Sequence, residues 1–84
     1  ESESQKAYNA RKAVSREERK IRNRVNFLEN EIDRIEKEMK KIEEVLASPG
    51  PDDDIMELTR SYLEHKRDLD ARTEEWAELS EQLG

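Results

Sequence analysis

The chain has no cysteine, two glycines, two prolines and one histidine in 84 residues. Without cysteine there is no disulfide framework, thiolate zinc site or cysteine nucleophile. Apolar material is also scarce. Leu, Ile, Val and Phe together number 16, too few for an ordinary globular core in a chain whose size already makes a compact domain marginal. No apolar run approaches the roughly 18 residues that a membrane span needs, and no signal-peptide pattern opens the chain. A soluble, cytoplasmic protein with no membrane partner is the expectation.

Charge is what the chain has in abundance: 45% of residues are Asp, Glu, Lys or Arg, against roughly 25% in an average soluble domain. Two classes fit such a composition, a disordered polyampholyte or a helical hairpin that needs only one apolar stripe. Ala, Glu, Lys, Leu and Arg supply 45 of the 84 residues, which favours long helix.

The stripe is present. Ile21, Val25, Leu28, Ile32, Ile35, Met39, Ile42 and Leu46 alternate spacings of four and three, a sustained heptad pattern. Ser48-Pro49-Gly50-Pro51 then stops the helix, and Asp53 or Asp54 can cap the next one. Asp54 with Glu57 resembles a capping box. A second stripe runs through Ile55, Leu58, Tyr62, His65, Leu69, Arg72, Trp76, Leu79 and Leu83.

A short turn makes the two helices antiparallel neighbours. The fold expected is therefore all-α, an antiparallel two-helix coiled-coil hairpin over 21–84. Its first helix runs to about 47, its turn occupies 48–53 and its second helix occupies 54–83. In the expected register Leu46 faces Leu58, Ile42 faces Tyr62, Ile32 faces Arg72, Leu28 faces Trp76 and Ile21 faces Leu83. The paired part is roughly 40 Å long. The first helix then has about twenty residues still to run, giving a basic lead-in over 1–20, helical from about Ala7 or Ala10 and frayed from Glu1 to Gln5.

Net charge is −6, which argues at first against a nucleic-acid partner. The average conceals an asymmetry: Lys6, Arg11, Lys12, Arg16, Arg19, Lys20, Arg22 and Arg24 face only Glu17 and Glu18 within residues 6–24, a local net of +6. From Val25 onward there are 8 basic and 18 acidic residues. Closely spaced cations on an exposed helix can neutralise phosphates and gain affinity by counterion release. The competing reading is a solvated face of a charged coiled coil. Lys12, Arg16, Arg19 and Lys20 share the face opposite the seam, and Arg22 and Arg24 flank it. These eight residues are the candidate nucleic-acid-binding set.

The remaining constellations read as structural. Trp76 and Tyr62 occupy seam positions and pack rather than stack on bases. Tyr8 and Phe27 lie off the stripe, either partly exposed or docked on something else. His65 on the seam reads as a hydrogen-bonded, half-buried histidine, since no second His or Cys can complete a transition-metal site. Asp52-Asp53-Asp54 lacks the remainder of a calcium loop and reads as capping with helix-dipole complementarity. Arg72 is expected to lay its stem over the seam and pair with an acidic neighbour. No phosphate-cradling or nucleophile motif is present. The chain is expected to be no enzyme by itself and to hold no cofactor.

Three segments together resemble a family: Leu28-Glu29-Asn30-Glu31-Ile32 after a basic lead-in, the break at Leu46-Ala47-Ser48-Pro49, and the ending Glu75-Trp76-Ala77-Glu78-Leu79. The chain resembles, from about Gln5 to Leu83, the C-terminal coiled-coil domain of ABC-F ATPases, the Uup type in particular. That resemblance implies a factor whose ATP-binding cassettes, and ATPase activity, lie elsewhere in a parent chain. It further implies association with the ribosome and translation, and DNA binding by the hairpin in the Uup branch. The nucleic-acid role would fall on the residues from Lys6 to Arg24. The strongly acidic body is a departure from that picture and leaves little room for phosphate contacts along the hairpin. The rival class is a structural or protein-interaction coiled coil, dimerising or docking on the parent's cassettes through Tyr8, Val14 and Phe27. The hairpin arm of some tRNA-binding synthetases is similar in outline, but the Trp76 and Leu79 ending favours the first family.

Overall fold

The computed structural model describes residues 2–84 and contains two helices, α1 (Glu3–Ala47) and α2 (Ile55–Leu83). They pack as an antiparallel hairpin within a rod of 74 × 18 × 14 Å. The all-α hairpin expected from the heptad stripes is what forms. Among the described residues no helix is long and apolar enough to cross a membrane.

α1 begins at Glu3, ahead of the expected Ala7 or Ala10. Ser2 is its N-cap: the Ser2 hydroxyl accepts from the Gln5 amide at 3.2 Å, and the Ser2 carbonyl accepts from the Lys6 amide at 3.0 Å. Ser2 with Gln5 three residues on is a capping-box spacing, so the start was legible and the expected fraying of Ser2 to Gln5 is replaced by a capped turn. Glu1 lies outside the described residues.

The turn also satisfies its own polar groups. The Ser48 amide donates to the Val45 carbonyl at 3.2 Å. The Gly50 amide donates to Asp53 Oδ2 at 2.7 Å, and the Asp53 amide returns to the Gly50 carbonyl at 3.3 Å. Asp54 caps α2, its Oδ1 accepting from the Glu57 amide at 3.1 Å. α2 therefore starts one residue after the expected position, because Asp54 is the cap and not the first turn. Two of the three aspartates thus have a local structural task. A cap of this kind is worth roughly 1 kcal/mol.

The core is one line of aliphatic side chains on α1. Leu28 and Ile35 are fully buried, and Val25 and Met39 nearly so, whereas every inward residue of α2 is only half-buried. The asymmetry follows from side-chain shape. α2 contributes long, amphipathic residues whose bodies lie over the α1 aliphatics and whose polar tips reach the surface. Tyr62 Oη donates to Glu43 Oε1 at 2.8 Å, and Trp76 Nε1 donates to Glu29 Oε1 at 3.1 Å. Glu43 and Glu29 each adjoin the partner expected for that aromatic, Ile42 and Leu28, so the register is the one the stripes imply.

Two seam residues depart from expectation. Ile55 remains 43% exposed, because α1 has already ended where it would find a partner. Arg72 forms no ion pair among the described residues, and its Nε is buried without a hydrogen-bond partner. It still acts through space, helping to lower the pKa values of Glu31 and Glu75. His65 is half-buried as expected, with Nδ1 2.7 Å from the Ser61 carbonyl oxygen. That acceptor places the proton on Nδ1.

Candidate nucleic-acid interface

α2 ends at Leu83, where Gly84 adopts φ 39° and returns its amide to the Ser80 and Glu81 carbonyls. The part of α1 that precedes the hairpin is thereby left as a single helix. Every residue from Ser2 to Lys20 on it is exposed. Its helicity rests on its cap and on continuity with the paired part, since a lone helix of this length is marginal in water.

The eight candidate cations divide into two groups. Among the described residues Lys6, Arg11, Lys12, Arg16, Arg19 and Arg22 form no ion pair, and Lys20 makes only a long contact to Glu17 at 3.4 Å between two well-exposed side chains. Such a contact is worth little. Arg24 is different. Its Nε and Nη2 donate to the two oxygens of Glu75 at 2.6 and 2.9 Å, a two-pronged bridge from α1 to α2. The same guanidinium lies 5.0 Å from the centroid of the Phe27 ring, within cation–π range. Arg24 is therefore held by the hairpin, while the six unpaired cations and Lys20 are presented to solvent.

The Arg24 hydrogen bond, with the charge behind it, holds the Glu75 carboxyl below the ordinary glutamate range, and Glu75 raises Arg24 in return. A carboxyl depressed in the folded state contributes stability above its unfolded pKa and loses it as pH falls through the folded value. Glu75→Gln is accordingly expected to lower the melting temperature by a few degrees at neutral pH, a small effect because the pair is solvent-exposed. The difference between wild type and variant closes as pH drops below the carboxylate range. Thermal melts of both proteins across that range check this, and a difference that persists in acid would show that the bridge is not its source.

Exposed apolar residues lie at two places. Tyr8, Val14 and Phe27 on α1 are 57%, 58% and 47% exposed; Tyr8 and Phe27 lie off the stripe, whereas Val14 stands at heptad spacing from Leu28 but precedes the part of α1 that α2 covers. Met56 and Leu63 on α2 are 85% and 56% exposed and were not anticipated as a surface feature. Their seven-residue separation places them on one face near the turn, a signal the sequence did contain.

The described residues form a slender antiparallel hairpin with one solvent-facing basic arm. A family model, the ABC transporter C-terminal domain, matches residues 15–81. The chain belongs to that family, in agreement with its resemblance to the C-terminal coiled coil of ABC-F proteins, and is an accessory domain of an ABC protein. No curated protein and no solved structure matches the chain. The family match begins at Ser15, so Lys6, Arg11 and Lys12 lie ahead of it, while Arg16, Arg19, Lys20, Arg22 and Arg24 lie within it.

Proposed function

We propose that this domain docks its parent ABC protein onto nucleic acid, through phosphate contacts made by the basic arm of α1. The ATP-binding cassettes and their hydrolysis lie in other parts of that parent. The observation that carries this reading is the solvent-facing, largely unpaired set of cations from Lys6 to Arg22, gathered at one end of a chain whose net charge is −6. Carboxylates that would neutralise them at helical spacing are few: Glu17 contacts Lys20, and Glu18 lies on the seam side. Contacts of this kind position a protein on a duplex without reading its sequence.

The test is a fluorescence-anisotropy titration of labelled DNA and RNA duplexes at about 50 and 200 mM salt, where counterion release separates charge-driven binding from other kinds. The variant carries Lys12→Gln, Arg16→Gln, Arg19→Gln and Lys20→Gln. The wild type is expected to bind at low salt with a steep dependence of log K on log salt. In the variant the magnitude of that slope falls by about 3.6, as expected for roughly four lost phosphate contacts on a duplex. Equal binding by both proteins would remove the arm from the interface.

The rival, self-association through the arm, has a specific obstacle. Pairing two arms sets one local excess of +6 against another, and the apolar residues available to offset it are few. Docking of Tyr8, Val14 and Phe27 on the parent's own cassettes is the surviving form of that alternative.

A further inference from the structure

One row of α1 runs Glu29, Glu36, Glu43 at seven-residue spacing along the flank of the seam. Its outer members are taken by aromatics of α2: Trp76 Nε1 donates to Glu29 and Tyr62 Oη to Glu43, at 3.1 and 2.8 Å. The α2 residue midway between those aromatics is Leu69, seven residues from each, and it has no donor to offer. Glu36 is exposed and has neither an ion pair nor a hydrogen bond among the described residues. Beside it a groove of about 260 Å³ lies between the helices, lined by Glu29, Ile32 and Glu36 of α1 and by Thr73 and Trp76 of α2.

We propose that this groove binds a linear polyamine, with terminal ammonium groups on Glu29 and Glu36 and the methylene chain lying over Ile32 and against Trp76. The inference uses neither the basic arm nor its cations.

The first support is the order of chemistries along the groove. Half-buried Ile32 stands between the two exposed carboxylates, so the groove is anionic at both ends and aliphatic in the middle. A ligand with a cation at each end and hydrocarbon between is its complement. The second is span. Glu29 and Glu36 are separated by about 10.5 Å along a helix rising 1.5 Å per residue. An extended chain with eight atoms between its terminal nitrogens covers roughly 11 Å, whereas one with four covers only about 6 Å. A single ammonium on an exposed carboxylate is worth little. A second ammonium on the same chain is delivered at high effective concentration when the span matches, so affinity depends on chain length. The third is the wall. The bond to Glu29 holds the half-buried Trp76 ring in place and leaves the other oxygen of Glu29 without a partner among the described residues. The indole attracts a cation beside it, and the exposed Thr73 hydroxyl adds an acceptor.

The protein's own cations leave the groove open. Lys66 contacts Asp70 at 3.8 Å. Arg22, seven residues before Glu29, and Lys40, four after Glu36, form no ion pair among the described residues.

Trp76 is the chain's one tryptophan, so its fluorescence responds to the groove directly. The whole chain is titrated at low salt with spermidine and with two diamines of equal charge, octamethylenediamine and tetramethylenediamine. Both long ligands are expected to change the fluorescence saturably and to bind at least fivefold tighter than the short one. They should also raise the melting temperature, because the groove exists only while the helices are paired. Glu36→Gln is expected to lose at least fivefold in affinity for the long ligands and to abolish the length preference. Glu44→Gln makes the same change of charge at an exposed residue outside the groove and should retain both, with far-UV circular dichroism confirming that each variant keeps its helices. Equal weakening by the two substitutions, or equal binding of the two diamines, would reduce the contact to general attraction by an acidic chain and overturn the site. A fluorescence and melting temperature that respond to neither long ligand would overturn it as well.

Discussion

Leu28→Ala is expected to lose about 2–5 kcal/mol of folding stability, the range for truncating a buried leucine. Leu28 has 0% exposure and sits one residue from Glu29, to which Trp76 is hydrogen-bonded. Its removal opens a cavity under the aromatic that closes the hairpin's open end. A single core in so small a chain rarely supplies more than about 3–5 kcal/mol, so the loss is comparable with the whole. Once the hairpin opens, α1 becomes an isolated helix and its arm loses the scaffold that extends it. Nucleic-acid binding should therefore weaken although no cation has changed. Thermal denaturation followed by far-UV circular dichroism measures the first effect, with Val14→Ala, at 58% exposure, as the nearly silent control. A Leu28→Ala protein melting within a few degrees of wild type would mean that the hairpin is held by something other than this stripe.

The stripe was legible because burial in a coiled coil is a matter of period, and period survives in sequence. Ile21 to Leu46 and Leu58 to Leu83 fixed both helices and their register to within about a residue, as the Tyr62–Glu43 and Trp76–Glu29 bonds show. The basic arm was legible because charge adds locally. What was not legible depends on which side chain reaches which partner across the interface. Arg24 resembles its neighbours in sequence, but it alone of the eight candidates is held by a carboxylate on the other helix, Glu75. Arg72 has Glu31 and Glu75 near enough to feel its charge, yet its Nε finds no acceptor. Those outcomes turn on fractions of a helical turn and on rotamers, which composition does not encode.

Arg72→Leu is expected to do the opposite of Leu28→Ala and raise stability by about 1–3 kcal/mol. A buried donor without a partner costs roughly that much, and exchanging a poorly satisfied inward charge for a packed aliphatic side chain is often stabilising. The substitution forgoes the attraction of Arg72 for Glu31 and Glu75, but these half-buried carboxylates already pair with Arg34 and Arg24, and what remains of the attraction is partly screened. Leucine between Leu69 and Trp76 would make the α2 stripe continuous and place an aliphatic residue opposite Ile32. That continuity carries a risk which explains the arginine. The inward face of α2 is nowhere fully buried, so an uninterrupted apolar stripe can recruit a second hairpin into a four-helix assembly, whereas an inward charge makes that association unfavourable. Thermal melts and sedimentation velocity on the same samples separate the two effects. A variant that melts higher and associates at tens of micromolar shows that Arg72 keeps the hairpin single at the expense of its own stability. A variant that melts higher and stays monomeric limits the arginine to a local destabilisation. A variant that melts lower would mean that its screened attraction to Glu31 and Glu75 outweighs the unpaired Nε, reversing the energetic order argued for this seam.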